Sequence, residues 1–395
     1  MKPPLISICL PTLNSERFLA ERLDTICAQT FTDWELVAAD SYSNDGTWER
    51  LLAFAEEHRN ARLFQIPKEG NLPAFNFCIN QARGEYVYIA TSDDTMAPDC
   101  LEKLSHALNT HPDCDLAHCR LQAEGDWAEW VNSFWQERSL FARSSRSLMD
   151  CVHIRLAPFD GLLHLYGETV YISLTQILIR RSLFERIGLF ESKWGGIGDF
   201  HWVMRASLVA NTIHVPDTWG GWRLHPAQVT AQAGLGTNEH RQKIEEMIVD
   251  ALSRSGQAVS EQVLSHLRRG WRARFRSRSE FLGELEQLRN RREFYNYLLK
   301  QMVKLSGAAW AFILANLGLY KSHEENFLIP ISEWMINGNT RLSSDCAVQD
   351  ACGAWFLRWQ SKGQGSVPKN FLYSLKRIHR LVRQLREPIS LNKSR

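Results

Sequence analysis

The chain has 395 residues, 44% hydrophobic and 23% charged, the composition of an ordinary soluble globular protein, and its length suggests two or three domains. A net charge of +2 conceals an asymmetry. Residues 1–240 carry 20 Lys+Arg against 30 Asp+Glu, a balance of −10, whereas residues 241–395 carry 26 against 14, a balance of +12, so a basic module follows an acidic one.

In chain order, LISICL is a short strand-like run ending at Pro11. It lacks the longer apolar core and cleavage site of a secretory signal, so the protein is expected in the cytoplasm. NSERFLAERLDTICAQ places Leu19, Leu23, Ile26 and Cys27 at helical spacing behind an Asn14 or Ser15 cap. WELVAAD reads as a strand, TWERLLAFAEEH as a helix, ARLFQIP as a strand, LPAFNFCINQAR as a helix and GEYVYIAT as a strand. This alternation predicts a parallel sheet with helices on its faces, and such sheets bind ligands at the carboxyl ends of their strands. Those ends supply Pro11 to Asn14, then DSYSNDGT from Asp40 to Thr47, then Ser92, Asp93 and Asp94.

Asp93 and Asp94 precede APDCLEKLSHAL, for which a helix with Pro98 at its first position and a cap at Ala97 or Thr95 is predicted. Adjacent carboxylates at a strand end also suit a hard divalent cation shared with substrate phosphates. HPDCDLAHC gathers His111, Cys114, His118 and Cys119, but the spacing does not fit paired zinc ligands, and the nine scattered cysteines do not make a disulfide framework. A Trp-rich stretch (Trp127, Trp130, Trp135) follows, either helical or a lid. Residues 168–232 then read as a strand, VYISLTQILIRR, a helix, SLFERIG, a loop, WGGIG, a helix, DFHWVMRASLVA, a further strand and the turn GGWRLHPAQVT.

ISICLPTLN, Gln29-Thr30-Phe31, WELVAADSYSNDGT and EGNLPAFNFCINQARGEYVYIATSDD, in that order and spacing, resemble the opening of the family 2 glycosyltransferases with the GT-A fold. The resemblance extends over residues 5–230. It implies an α/β, Rossmann-like, mostly parallel sheet flanked by helices over residues 1–235, with a nucleotide-sugar half (1–115) and an acceptor half (116–235). A mainly helical, basic domain would follow over 236–395. By the same resemblance Asp40 receives a nucleotide base, with Pro11, Thr12 and Asn14 lining the pocket and Ser92 beside it. Asp93 matches the family's metal-binding acid, and Asp94 follows it as ligand, neighbour or turn. For Asp45 turn chemistry is the stronger reading. GIGDFHWVMRA resembles the helix start whose Asp deprotonates the acceptor hydroxyl, here Asp199, although a helix cap is the plain alternative. WRLHPAQVT resembles the turn that closes the donor site, with His225 on the metal or diphosphate and Arg223 facing phosphate.

Three positions depart from the family pattern: Thr91 where an Asp is common, Phe75 where an Arg is common, and Gly198 where a Glu is usual. Those departures aside, the resemblance implies an inverting, Mg2+- or Mn2+-dependent transfer from a nucleotide-sugar donor, UDP-linked, to a hydroxyl of a glycan or lipid-linked acceptor in surface polysaccharide or lipopolysaccharide synthesis. The rival reading is a noncatalytic scaffold that binds a glycan or nucleotide sugar. The basic region, with WRARFRSR and LKRIHRLVRQLR, has three readings: a solvated helical bundle, a peripheral contact with anionic lipid at the inner face of the membrane, and, least favoured, nucleic-acid binding. The apolar run LSGAAWAFILANLGLY is too short and too mixed for a membrane span.

Overall fold

A computed structural model describes residues 3–125, 128–137, 149–150, 152–155, 157–164, 169–228 and 238–256, all within one compact unit. The Arg-rich segments and the apolar run at 305–320 lie outside the described residues, as does the region expected to be helical over 236–395 apart from 238–256.

Three strands, β1 (Ile6–Thr12), β2 (Trp34–Asp40) and β3 (Ala61–Gln65), alternate with helices α1 (Glu16–Cys27), α2 (Thr47–Glu57) and α3 (Asn71–Gln81), and β4 (Tyr86–Ile89) follows. Their pairing is parallel, with β1 between β2 and β4 and β3 outside β2. Because β1 has neighbours on both edges and helices on its faces, Ile6, Ile8 and Leu10 are all fully buried, each stabilising the fold by roughly 1.5–3 kcal/mol. The continuous apolar run is what such a strand requires. On α1, Leu19, Leu23 and Ile26 are buried as predicted, and so is Arg22, whereas Cys27 is exposed. Residues 19, 22, 23 and 26 already complete the inward stripe, and position 27 falls beyond its edge.

The remaining strands are β5 (Thr95–Met96), β6 (Leu116–Gly125), β7 (His153–Arg155), β8 (Ile177–Arg180) and β9 (Thr212–Leu224). The nine-stranded sheet runs β3-β2-β1-β4-β8-β6-β9-β5, with β7 also on β9. Most of its pairing is parallel, as expected, including the long ladder between β6 and β9; antiparallel pairing enters where β8 meets β4 and β6 and where β9 meets β5 and β7. The strand expected from VYISLTQILIRR begins only at Ile177, because Ser173 caps a 3-10 turn over Leu174–Gln176 and Gln176 returns the bond. Helices α4 (Cys100–Thr110), α5 (Ala128–Glu137), α6 (Phe159–His164), α7 (Ser182–Ile187), α8 (Gly198–Ser207) and α9 (Asn238–Ser255) complete the described elements. The Trp-rich stretch is therefore helical over Ala128–Glu137. Helix α9, just past the expected boundary at 235, packs on α8.

On and beside β6, β7 and β9 the protein buries His118, His153, His164 and His214. The Val170 N–H donates to His164 Nε2 at 2.7 Å, so the ring proton sits on Nδ1 and points to Ser207 Oγ, also at 2.7 Å. A second proton would break the Val170 bond. Burial pushes His164 down to about 4, and His118 and His214 well below their ordinary range. A group whose pKa is lower when folded stabilises the protein above its unfolded pKa of roughly 6.5 and loses that contribution as pH falls. His164 alone then forfeits about 2 kcal/mol between pH 7.5 and 5. Asp94, whose carboxyl is pushed up to about 7 by burial and then by the Asp93 charge, works in the opposite sense. Thermal melts should show the melting temperature falling from pH 7.5 to 5, with a shallower fall in His164→Gln. A flat profile would remove the histidines from the account.

Candidate active site

The sheet brings its first two turns together by register. Thr12 on β1 pairs with Asp40 on β2, and Thr12 Oγ1 donates to Asp40 Oδ1 at 2.9 Å. Ser43 adds its N–H to Asp40 Oδ2 at 2.9 Å and its hydroxyl to Oδ1 at 2.5 Å. Asp40 is completely buried; its Oδ2 accepts one bond and keeps acceptor capacity, so the expected contact with a base requires its cover to shift. Asn14 sits in the left-handed region at φ 49°, where asparagine is among the few tolerated residues. It accepts from Asn44 N–H through Oδ1 at 3.0 Å and donates its own N–H to Ser43 Oγ at 2.8 Å. Pro11 lies one residue earlier, in register with Ala39. Asp45 accepts from the N–H groups of Glu16 and Thr47. It is turn chemistry, as expected.

The third turn joins the first through Ser92, whose hydroxyl lies 2.8 Å from that of Ser15. Neither Asp93 nor Asp94 caps a helix, because α4 begins at Cys100 with Asp99 in the cap position, and Thr95, one of the predicted caps, belongs to β5. Asp94 points inward, 2% exposed. Its Oδ1 accepts the Arg223 N–H at 2.9 Å, and its Oδ2 accepts from Thr91 and, at 3.5 Å, from Ser173. Burial, and then the neighbouring Asp93 charge, push its carboxyl up to about 7. The departure at Thr91 thus has a local use: its hydroxyl braces Asp94. Arg22 lies beneath the turn, its Nη1 3.4 Å from the Asp94 carbonyl oxygen and its guanidinium 5.6 Å from the Tyr88 ring centre.

Asp93 is the outward member of the pair. Its Oδ2 lies 2.9 Å from His225 Nε2, across 132 positions of sequence. The two meet because β5 and β9 pair with Thr95 opposite Gly221, which puts the end of β9 beside the Asp93 turn. A Cβ on Gly220 or Gly221 would overlap the Thr175 carbonyl oxygen or Thr95 Oγ1, so both glycines are needed for that close approach. The His225 ring rests on Phe18 at 4.7 Å. Arg223 donates from Nε to the Asp93 carbonyl at 2.9 Å and pairs with Glu21 at 2.6 Å and Glu124 at 3.2 Å. Its guanidinium, expected to face phosphate, here ties the closing turn to the Asp93 turn. Glu21 and Glu124 were not legible as neighbours of this corner, since nothing in their local sequence marks them, whereas Ser43 belongs to the strand-end run DSYSNDGT.

Asp199 occupies the first turn of α8, whose cap position is Ile197, so it is not the helix cap. Its Oδ1 accepts the Phe200 N–H at 2.8 Å; among the described residues no cationic side chain pairs with it. Half-buried as a residue, it has a carboxyl pushed above the ordinary aspartate range by desolvation. No contact links Asp199 to the Asp93 turn among those described. The Gly198 departure has a steric reason, because a Cβ there would overlap Leu72 Cδ1 and stand 2.9 Å from the Glu191 carbonyl oxygen.

Asp93 Oδ2 and His225 Nε2 share a hydrogen bond of 2.9 Å, a separation that two cis ligands of an octahedral ion at about 2.1 Å could also occupy, at about 3.0 Å. An oxygen and an imidazole nitrogen suit Mn2+ better than Mg2+. Among the described residues, none is a helix long and apolar enough to cross a membrane.

The family model described as "Glycosyl transferase family 2" matches residues 7–188. The chain is 33% identical over 110 residues to the putative glycosyltransferase EpsE of Bacillus subtilis, an alignment covering 27% of this chain and 40% of that protein. It is 25% identical over 221 residues to a PGL/p-HBAD biosynthesis glycosyltransferase of Mycobacterium tuberculosis, covering 54% of this chain and 76% of that one. The chain spans 13%, 40% and 50% of the length of three of the curated relatives it matches. The crystal structure of S. aureus TarS 1-349 is similar in fold, with a TM-score of 0.51, 15% identity, and coverage of 92% of this chain and 93% of that one.

Proposed function

The chain belongs to glycosyl transferase family 2 through residues 7–188, and on that basis we propose an inverting transfer of a sugar from a nucleotide sugar, UDP-linked, to an acceptor hydroxyl. The observation that carries this reading is the meeting of Asp93 and His225 at 2.9 Å beside the Asp40 corner. It joins a strand-end acid to the closing turn where a diphosphate would lie.

In the proposed reaction Pro11, Thr12, Asn14 and the Asp40 corner hold the nucleoside, and Ser92 keeps the Asp93 turn against that corner. Asp93 and His225 would hold a divalent cation, Mn2+ ahead of Mg2+, with Asp94 bracing the turn from inside. When bound, the cation supplies positive charge to the leaving diphosphate. Asp199 takes the proton of the acceptor hydroxyl as its oxygen bonds to the anomeric carbon. The bond from that carbon to the diphosphate oxygen breaks, and the nucleoside diphosphate leaves with the electron pair. The raised carboxyl of Asp199 brings its basicity closer to working pH, as a general base requires. The acceptor is proposed to be a glycan or lipid-linked hydroxyl, in surface polysaccharide or lipopolysaccharide synthesis. The basic balance of residues 241–395 supports a peripheral contact with the inner membrane face.

The test is a panel of UDP-, GDP- and dTDP-sugars measured by thermal shift with Mn2+ and again with EDTA. One UDP-sugar should raise the melting temperature, by the equivalent of about 2.7 kcal/mol at a hundredfold excess over Kd, and EDTA should remove the shift. The proposal fails if no nucleotide sugar binds, or if binding and turnover are unchanged by EDTA.

A further inference from the structure

We propose that Asp250, on the helix beyond the family-model match, is a positioning residue that fixes the first turn of α8 and thereby aims Asp199. The role of Asp199 rests on the reading above; the clamp itself does not.

Helix α9 holds the region around Asp199 from both sides in sequence. Two residues after it, His201 Nε2 lies 2.8 Å from Asp250 Oδ2. Eight residues before it, Glu191 pairs with Arg254, which also meets Asp250 at 3.0 Å. Lys193, in the 3-10 helix Ser192–Ile197 that replaces the loop expected from WGGIG, reaches Glu191 at 3.0 Å and Asp250 at 3.4 Å. Glu191, His201 and Asp250 bring three ligand-type atoms within 4.8 Å of one another. Arg254 and Lys193 already supply positive charge there, and Arg205 lies 3.9 Å from Glu191, so the group works as an ionic clamp without a metal.

The hydrogen bond to Asp250 is also what anchors the His201 ring. His201 is completely buried, and desolvation first, with Arg205 beside it, pushes its imidazole down to about 4. Neutral at working pH, it carries its one proton on Nε2, where the carboxylate accepts it. Its Nδ1 has no hydrogen-bond partner among the described residues, and the Trp194 ring packs against the imidazole with ring centres 4.8 Å apart. Without Asp250 both ring nitrogens would be buried and unpaired, a costly state that the ring escapes only by moving. Movement of the α8 first turn carries the Asp199 carboxylate with it, and a displacement of about 1 Å can cost a hundredfold in rate.

The test compares the whole chain with D250A, D250N and D199N, using UDP-glucose, UDP-galactose and UDP-N-acetylglucosamine with Mn2+ and reading UDP release. D250A should lower kcat ten- to a hundredfold with donor KM within twofold. D250N, whose amide oxygen accepts the same bond, should recover to within threefold of the parent. In parallel, amide hydrogen exchange should accelerate at least tenfold over residues 198–203 in D250A, with residues 6–12 and 34–40 unchanged. Unaltered exchange at 198–203 overturns the clamp whatever the donor. So does a D250A kcat within threefold while D199N is inactive. If D199N itself stays active, the reading of Asp199 as base falls, and the exchange result still decides the clamp. Should D250A not fold, D250S, which also cannot reach His201, is measured in its place.

Discussion

Asp199→Asn is expected to reduce transfer by about a hundred- to ten-thousandfold in kcat, the range that one general base contributes, while nucleotide-sugar affinity stays within about threefold. The amide nearly matches the carboxylate in shape and can still accept the Phe200 N–H, so the start of α8 should be preserved. What is lost is the capacity to take a proton. The parent enzyme should also lose kcat on acidification, with a midpoint above the ordinary aspartate value of roughly 3.9, because desolvation raises the Asp199 carboxyl. Below that midpoint the base is protonated and idle; above it the base is available. Steady-state kinetics from pH 4 to 9, with donor affinity from thermal shift, check both parts. A variant that retains kcat within threefold would overturn the assignment.

The second large effect is expected at Asp93. Asp93→Ala should abolish the Mn2+-dependent part of donor binding and lower kcat/KM by at least a hundredfold. His225→Ala should cost less, since a water can replace an imidazole more readily than a carboxylate at a hard cation. Asp94→Asn is the informative contrast. Asp94 faces inward and its oxygens bind Thr91, Ser173 and the Arg223 backbone, so its loss should lower the melting temperature more than it lowers Mn2+ affinity. Calorimetric titration of Mn2+ into each variant with UDP present separates these outcomes. Equal losses at 93 and 94 would mean that both carboxylates hold the ion.

The amino-terminal half of the fold was legible because its signals are local. Apolar runs bounded by turn residues marked β1, β2 and β4, and the turns after them delivered Asp40 and Asp93. The antiparallel entry of β8 and β9 was not legible. Strand direction depends on partners distant in sequence, and the apolar run ending at Arg180 carries no sign of the Ser173 cap that shortens it. The site divides in the same way. Asp93, Asp199, Arg223 and His225 were singled out through motif resemblance, whereas the inward turn of Asp94, the brace from Thr91 and the acids on Arg223 depend on burial and long-range contacts. Gly198 is the clearest case: as a letter it looked like a missing glutamate, and in the structure it is a point of contact with Leu72 and Glu191.

The two-residue strand Thr95–Met96 sets how this corner can vary. Asp93 lies two positions before it, and His225 one position after the end of its partner strand. Because neighbouring side chains on a strand point to opposite faces, one residue gained or lost on either side would swing one member of the pair away from the other. Only Asp94 separates the acid from the strand, and nothing separates Leu224 from His225, so an insertion or deletion here should disrupt the corner more than a substitution would.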